Sequence, residues 1–156
     1  MLFQWALGIS VGALAIVVFG LAIRRFAAIR ADARSAEARR TFLLRREWLE
    51  AQFWKLASES GMPRGLRWAD CDFENPVAFA RDLKHGTLTA LVAITIRFEA
   101  IEGGGMEDVE AVGNLKAATA IFRHEHGSWT TEGRAIFNLN PEEAIAYYRG
   151  ELEMVD

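Results

Sequence analysis

With 156 residues, a hydrophobic content of 51% and a net charge of −3, the chain has material for one modest core and not for several domains. A single cysteine excludes a disulfide scaffold. The acidic balance also leaves the body without the basic face that nucleic-acid binding needs.

Residues 2–23, LFQWALGISVGALAIVVFGLAI, contain no charged side chain. At about 1.5 Å per residue they make a helix of roughly 33 Å, against a hydrocarbon core of about 30 Å. The run is longer than the apolar region of a cleaved signal, no basic residue precedes it, and Arg24-Arg25 follow it directly. A retained transmembrane helix is therefore expected. The competing reading, a buried core helix, would need a polar face that this segment lacks. Gly8 and Gly12 form a G-x-x-x-G pair, a spacing that lets two membrane helices approach closely. Trp5 stands where an interfacial ring would. Arg24, Arg25, Arg30 and Arg34 crowd the other end, opposed only by Asp32. Arginines beside a span favour the cytoplasmic side, which places Met1 outside and the body in the cytoplasm. The unpaired Cys71 fits a reducing compartment.

Residues 24–46 hold eight arginines against Asp32 and Glu37, a charge of +6, whereas residues 47–156 hold ten cations and nineteen acids, a charge of −9. A basic segment beside a bilayer is drawn to anionic lipid. Its first part, FAAIRADARSAEARR, is too poor in large apolar side chains to bury much and reads as a helical spacer. Further on, Phe42, Leu49, Phe53 and Leu56 recur at helical spacing, with Leu44, Trp48 and Ala51 on the adjacent strip. That makes a wide apolar face fit to lie on a sheet, stopped by Gly61 and Pro63. The expected organisation is a membrane helix at 1–23, a basic helical stem at 24–41 and an α+β domain at 42–156.

The period then changes to two. Residues 65–73 and 77–83 read as strands parted by an Asn75-Pro76 turn, and Lys84-His85-Gly86 as a hairpin loop. The longest strand is 87–101. Leu88, Ala90, Val92, Ile94, Ile96, Phe98 and Ala100 make one wholly apolar face. Leu91, Ala93, Thr95, Arg97 and Glu99 make a mixed one, as where a helix covers only part of a sheet. Residues 102–113 form a flexible acidic connection. Residues 114–125 and 128–139 pair through His126-Gly127, and Asn140-Pro141-Glu142-Glu143 opens a short helix whose apolar face is Ala144, Ile145, Tyr148 and Leu152. The fold class is α+β: four or five antiparallel strands on a long helix, with a short C-terminal helix.

Candidate chemistry is sparse. Glu102, Glu107, Asp108 and Glu110 surround three successive glycines, a solvated loop or else a cation- or partner-docking one, without the ligand order of a calcium loop. His124 and His126 stand two apart, but no third ligand accompanies them, so a polar turn is the reading. Cys71 lies among Asp70, Asp72 and Glu74, which disfavour its thiolate. If the sheet wraps a pocket, Trp68, Phe79, Phe98, Phe122 and Phe137 line it, with Arg97, Glu99 and Arg134 as polar handles. No catalytic motif is present, and the sequence implies no cofactor and no metal.

A long helix followed by an antiparallel meander is similar in element order to cystatin-like and nuclear-transport-factor-2-like folds. The stretches FEAIEGGGMEDVEAVGNLKAATAIF and GRAIFNLNPEEAI resemble a group of small membrane-anchored proteins of planctomycete-type bacteria. That resemblance implies an anchored cytoplasmic or periplasmic domain and brings no catalytic residues with it; the expected location is a bacterial inner membrane. The expected function is a non-enzymatic interaction or scaffolding module with membrane lipid and a protein partner or second copy as its contacts. The alternative is a small-molecule-binding or hydrolytic pocket of the nuclear-transport-factor-2-like kind.

Overall fold

The computed structural model describes the backbone of residues 2–60 and 65–155 and the side chains of residues 18–60 and 65–155. The chain divides into two compact units, Met1–Glu37 and Ala38–Asp156. Helix α1 (Leu2–Ser60) runs through both, its sequence free of proline and, after Gly20, of glycine. The expected stop at Gly61 and Pro63 lies outside the described residues, as do the Trp5 side chain and the surroundings of Gly8 and Gly12. Among the described residues no helix is long and apolar enough to cross a membrane. At the described end of the uncharged segment, Val18, Phe19, Leu21 and Ile23 are exposed, and so are Phe26 and Ile29 beyond it.

The second unit is α+β. Its strands are β1 (Leu66–Asp82), β2 (Leu88–Ala100), β3 (Lys116–Glu125), β4 (Ser128–Thr130), β5 (Ala135–Phe137) and β6 (Leu152–Met154), with the short helix α2 (Pro141–Tyr147) before the last. The sheet order is β4-β3-β2-β1-β6, and β5 pairs with β3 further along the edge that β4 also uses. Every pairing is antiparallel.

The first face of the sheet carries the main core. Ala38, Phe42, Leu49, Phe53 and Ala57 of α1 are buried against Ala90, Val92, Ile94, Ile96 and Phe98 of β2 and Ala118, Ala120 and Phe122 of β3. Phe42 meets Phe122 and Trp129 edge-on, with centroids 5.4 Å and 4.9 Å apart. Such contacts add about 0.5–1.5 kcal/mol each beyond the area they bury. The Trp129 indole donates to the Ala38 carbonyl at 2.7 Å, so the one polar group of that ring is satisfied inside the core. The adjacent strip on α1 behaves differently from expectation. Leu44 is 76% exposed and Trp48 59%, because the sheet is met by a narrow row at i, i+4, i+7 and the helix turns its next row to solvent.

Three further expectations are corrected, and a fourth gains detail. Asn75-Pro76 is not a turn: β1 continues through it, with register shifts between Trp68 and Asp70 and between Phe73 and Val77. Pro76 has no N–H to give a ladder, so the surplus residues are taken up as a bulge on the strand. Residues 128–139 are not one strand but β4 and β5 with Thr131 to Arg134 looped out between them. Gly133 sits there at φ +70°, where a Cβ would fall 2.5 Å from the Ala57 backbone nitrogen, so α1 passes too close for any side chain. Helix α2 ends at Tyr147, and Leu152 belongs to β6 instead, paired with Asp82. Finally, the acidic connection holds a 3₁₀ turn, Glu110–Gly113, and Gly104 lies against Gly65 with no room for a side chain on either. The hairpin loops agree with expectation: Gly86 N–H bonds the Asp82 carbonyl at 2.7 Å, and His126 and Gly127 both have positive φ, as a two-residue turn requires.

Candidate functional site

The second face of the sheet is only half covered. Under α2, Ala80, Leu91, Ala144 and Ile145 are buried, with Ile136, Leu139 and Leu152 packed around them. The helix is held there by its first turn. Asn140 accepts from the Glu143 N–H at 2.8 Å while Glu143 accepts from the Asn140 N–H at 3.0 Å. The Thr119 hydroxyl donates to the Leu139 carbonyl at 2.7 Å and ties the approach segment to β3.

Beside the N-terminal turn of α2, a groove of about 1010 Å³ opens over the rest of that face. Its floor is made of small side chains from three neighbouring strands: Ala78 of β1, Ala93 of β2 and Ala117 of β3. The first turn of α2 forms one wall, and Met154 and Val155 close an end. The groove also reaches the edge of β1, because β6 pairs with Ala80 to Asp82 alone and Val155 N–H bonds Phe79 O as the last link at 2.8 Å.

The bulge in β1 shapes the rim. Arg46 of α1 donates to the Asn75 carbonyl at 2.6 Å and to the Glu74 carbonyl, and it pairs with Glu50 at 2.6 Å. One guanidinium thus holds the two carbonyls that the bulge takes out of the ladder. Glu74 and Glu142 stand on the rim without an ion pair among the described residues, and Glu143 joins them. The single cation in the lining, Arg39, lies 5.9 Å from the centre of the Phe79 ring. The lining is therefore alanine and aliphatic carbon below and mostly carboxylate above, apolar at its base and negatively charged at its rim.

The structure places the residues singled out from the sequence in separate locations. Trp68 is buried on the first face, edge-on to Phe98 with centroids 5.5 Å apart. Arg97 and Glu99 lie exposed on the second, paired with Asp70 at 2.8 Å and Arg67 at 2.9 Å. Arg134 is exposed and lines a cleft of only about 40 Å³ with Glu132. These four are not brought together, and Phe42, Phe53 and Phe122 fill the space between α1 and the sheet. Glu102, Glu107, Asp108 and Glu110 are all exposed. Glu107 is the structured one: its own backbone N–H and that of Gly103 hold its carboxyl below the usual carboxylate range.

Among the described residues no three His, Cys, Asp or Glu side chains converge as metal ligands. His124 packs on Trp129 with centroids 5.2 Å apart, and His126 belongs to the turn. The Cys71 thiol is pushed up to about 12, by burial first and then by Asp72, Asp70 and Glu50. That makes it a neutral packing group rather than a nucleophile. Arg24, Arg25, Arg30 and Arg34 are exposed on α1, with the Arg30 guanidinium 4.8 Å from the Phe26 ring.

Sequence reasoning missed the groove. Its signal was present as the small residues Ala78, Ala93 and Ala117, but their alignment across three strands depends on a register that only the folded sheet supplies. No family model, no curated protein and no solved structure matches this chain.

Proposed function

We propose that the protein is a single-pass component of a bacterial inner membrane whose α+β unit is a non-enzymatic interaction module facing the cytoplasm. The observation that carries this reading is the row of exposed large apolar side chains on α1, from Val18 to Ile29, continuous with an uncharged segment and flanked by Arg24, Arg25, Arg30 and Arg34. Apolar side chains of that size left exposed over a long helix fit a lipid or protein surround. The basic flank fits retention on the cytoplasmic side.

For the α+β unit, support comes from the contrast between a filled interior and an open, carboxylate-rimmed groove outside it. A pocket of the nuclear-transport-factor-2-like kind would need the space that Phe42, Phe53 and Phe122 occupy. The test has two arms. A reporter active only in the cytoplasm, fused after Asp156, is expected to be active; silence overturns the orientation. Purification of the tagged full chain from native membranes in mild detergent is expected to recover a stoichiometric protein partner or a second copy. Recovery of a monomer that turns over a small molecule would replace the module by an enzyme.

A further inference from the structure

We infer that the groove on the second face of the sheet receives the arginine-rich stem, residues 24–41, of a second copy of the chain. The inference deepens the reading just given and rests on it, since anchoring in one bilayer holds two copies at high effective concentration.

The occupant follows first from shape. Two turns of a helix about 10 Å across displace roughly 850 Å³, comparable with the groove; its volume is about 1010 Å³. A floor of Ala78, Ala93 and Ala117 lets a helix axis come close only if the helix is itself lined by small side chains. One strip of the stem has that character: Ala33 and Ala36 are exposed and Arg40 follows them at i, i+3, i+7, with the exposed Arg30 and Arg34 to one side of it.

Charge points the same way. Residues 24–46 carry +6 and the rest of the chain −9, so attraction between unlike segments of two copies is built into the sequence. On the rim, Glu74 and Glu142 have no ion-pair partner among the described residues and stand where arginines of a seated helix would reach.

An added strand is a poor occupant of the same place. Pro76 offers no N–H, the bulge breaks the spacing that a partner strand would need, and Arg46 already takes the Glu74 and Asn75 carbonyls. The edge is closed to backbone pairing while the adjoining face stays open to side-chain packing.

The test uses the full chain in detergent micelles, with mass measured by light scattering across a dilution series and two differently tagged copies scored for co-purification. A dimer is expected. Glu74→Arg with Glu142→Arg weakens it about tenfold, and so does Arg34→Glu with Arg40→Glu, as the loss of several exposed pairs requires. Combining both sets restores the dimer, because the charges are then exchanged rather than removed. A merely structural effect of either set would not be rescued, and failure of the rescue overturns the proposal.

A monomer at every concentration also overturns it. So does a dimer indifferent to both sets but lost in Gly12→Leu, which would assign self-association to the N-terminal segment. Selective co-purification of another protein's basic helix in place of the second copy would overturn it too. In each of these cases the chain still sediments with membranes, so the anchored reading stands. Only release of the chain from membranes removes that reading.

Discussion

The two faces of one sheet are built from the same strands and end in opposite conditions. On the first face, aromatic rings from α1, β1, β3 and β4 interlock so fully that Phe42, Phe53 and Phe122 have no exposed surface. On the second, α2 covers Leu91 and Ala80, and beside its first turn the strands present alanines to an open groove. On β2, Val92, Ile94, Ile96 and Phe98 meet α1 and create the first condition, while on the other face Leu91 lies under α2 and Ala93, with Ala78 and Ala117 of the neighbouring strands, leaves the second unfilled. Stability is concentrated where residues are large and paired with α1. Open space is left where Ala78, Ala93 and Ala117 are too small to fill it.

The sharpest way to break that contrast is to remove a ring from the filled face. Phe53→Ala is expected to cost about 3–5 kcal/mol in a denaturant titration, the range for a large ring deleted from a close-packed core. A loss below about 1 kcal/mol would mean that the face is looser than its burial indicates.

The link between the faces is Arg46, which reaches from α1 to the β1 bulge on the groove's rim. Arg46→Met keeps much of the packing of its stem and removes the donors. It is expected to cost about 1.5–3 kcal/mol, the value of hydrogen bonds to a charged group. Amide exchange at Phe73 and Val77 should speed up before that of β3 does. Uniform acceleration across the sheet would show that Arg46 supports the whole fold and not the bulge.

On the second face, Asn140→Ala removes the cap that holds α2 and is expected to cost about 1 kcal/mol by the same titration. Enhanced exchange should be confined to α2 and β6. The effect confined to alkaline pH concerns Cys71. Its thiol is raised from 9.0 to about 12 in the folded chain, so the folded state keeps a proton that the unfolded state releases. That contribution to stability is complete below about 9 and fades as pH rises toward about 12. Stability of the wild type should therefore decline across this window more steeply than that of Cys71→Ala. Equal slopes would mean that the thiol is not desolvated.

Much of the first face was legible because alternation is a local signal. Ala90, Val92, Ile94, Ile96 and Phe98 announce a buried strand face, and Phe42, Leu49 and Phe53 announce the helix that covers it. Turn chemistry was legible where one residue forces it, as at Gly86 and His126-Gly127. The β1 bulge was not, since Asn-Pro is a turn signal by propensity. Its continuation as strand depends on Arg46, twenty-eight residues away from Glu74 in sequence. The exposure of Leu44 and Trp48, the split of β4 from β5 and the strand role of Leu152 are likewise set by tertiary neighbours. The groove belongs with these. Three alanines on three strands carry no mark of their common site until the register is known.

Alkaline carbonate extraction of membranes bearing the full chain tests the central claim most directly, because it strips proteins held by charge and leaves those held by an apolar span. Retention of the chain in the membrane pellet is the expected result. Recovery of the intact chain in the supernatant would contradict a membrane-anchored interaction module.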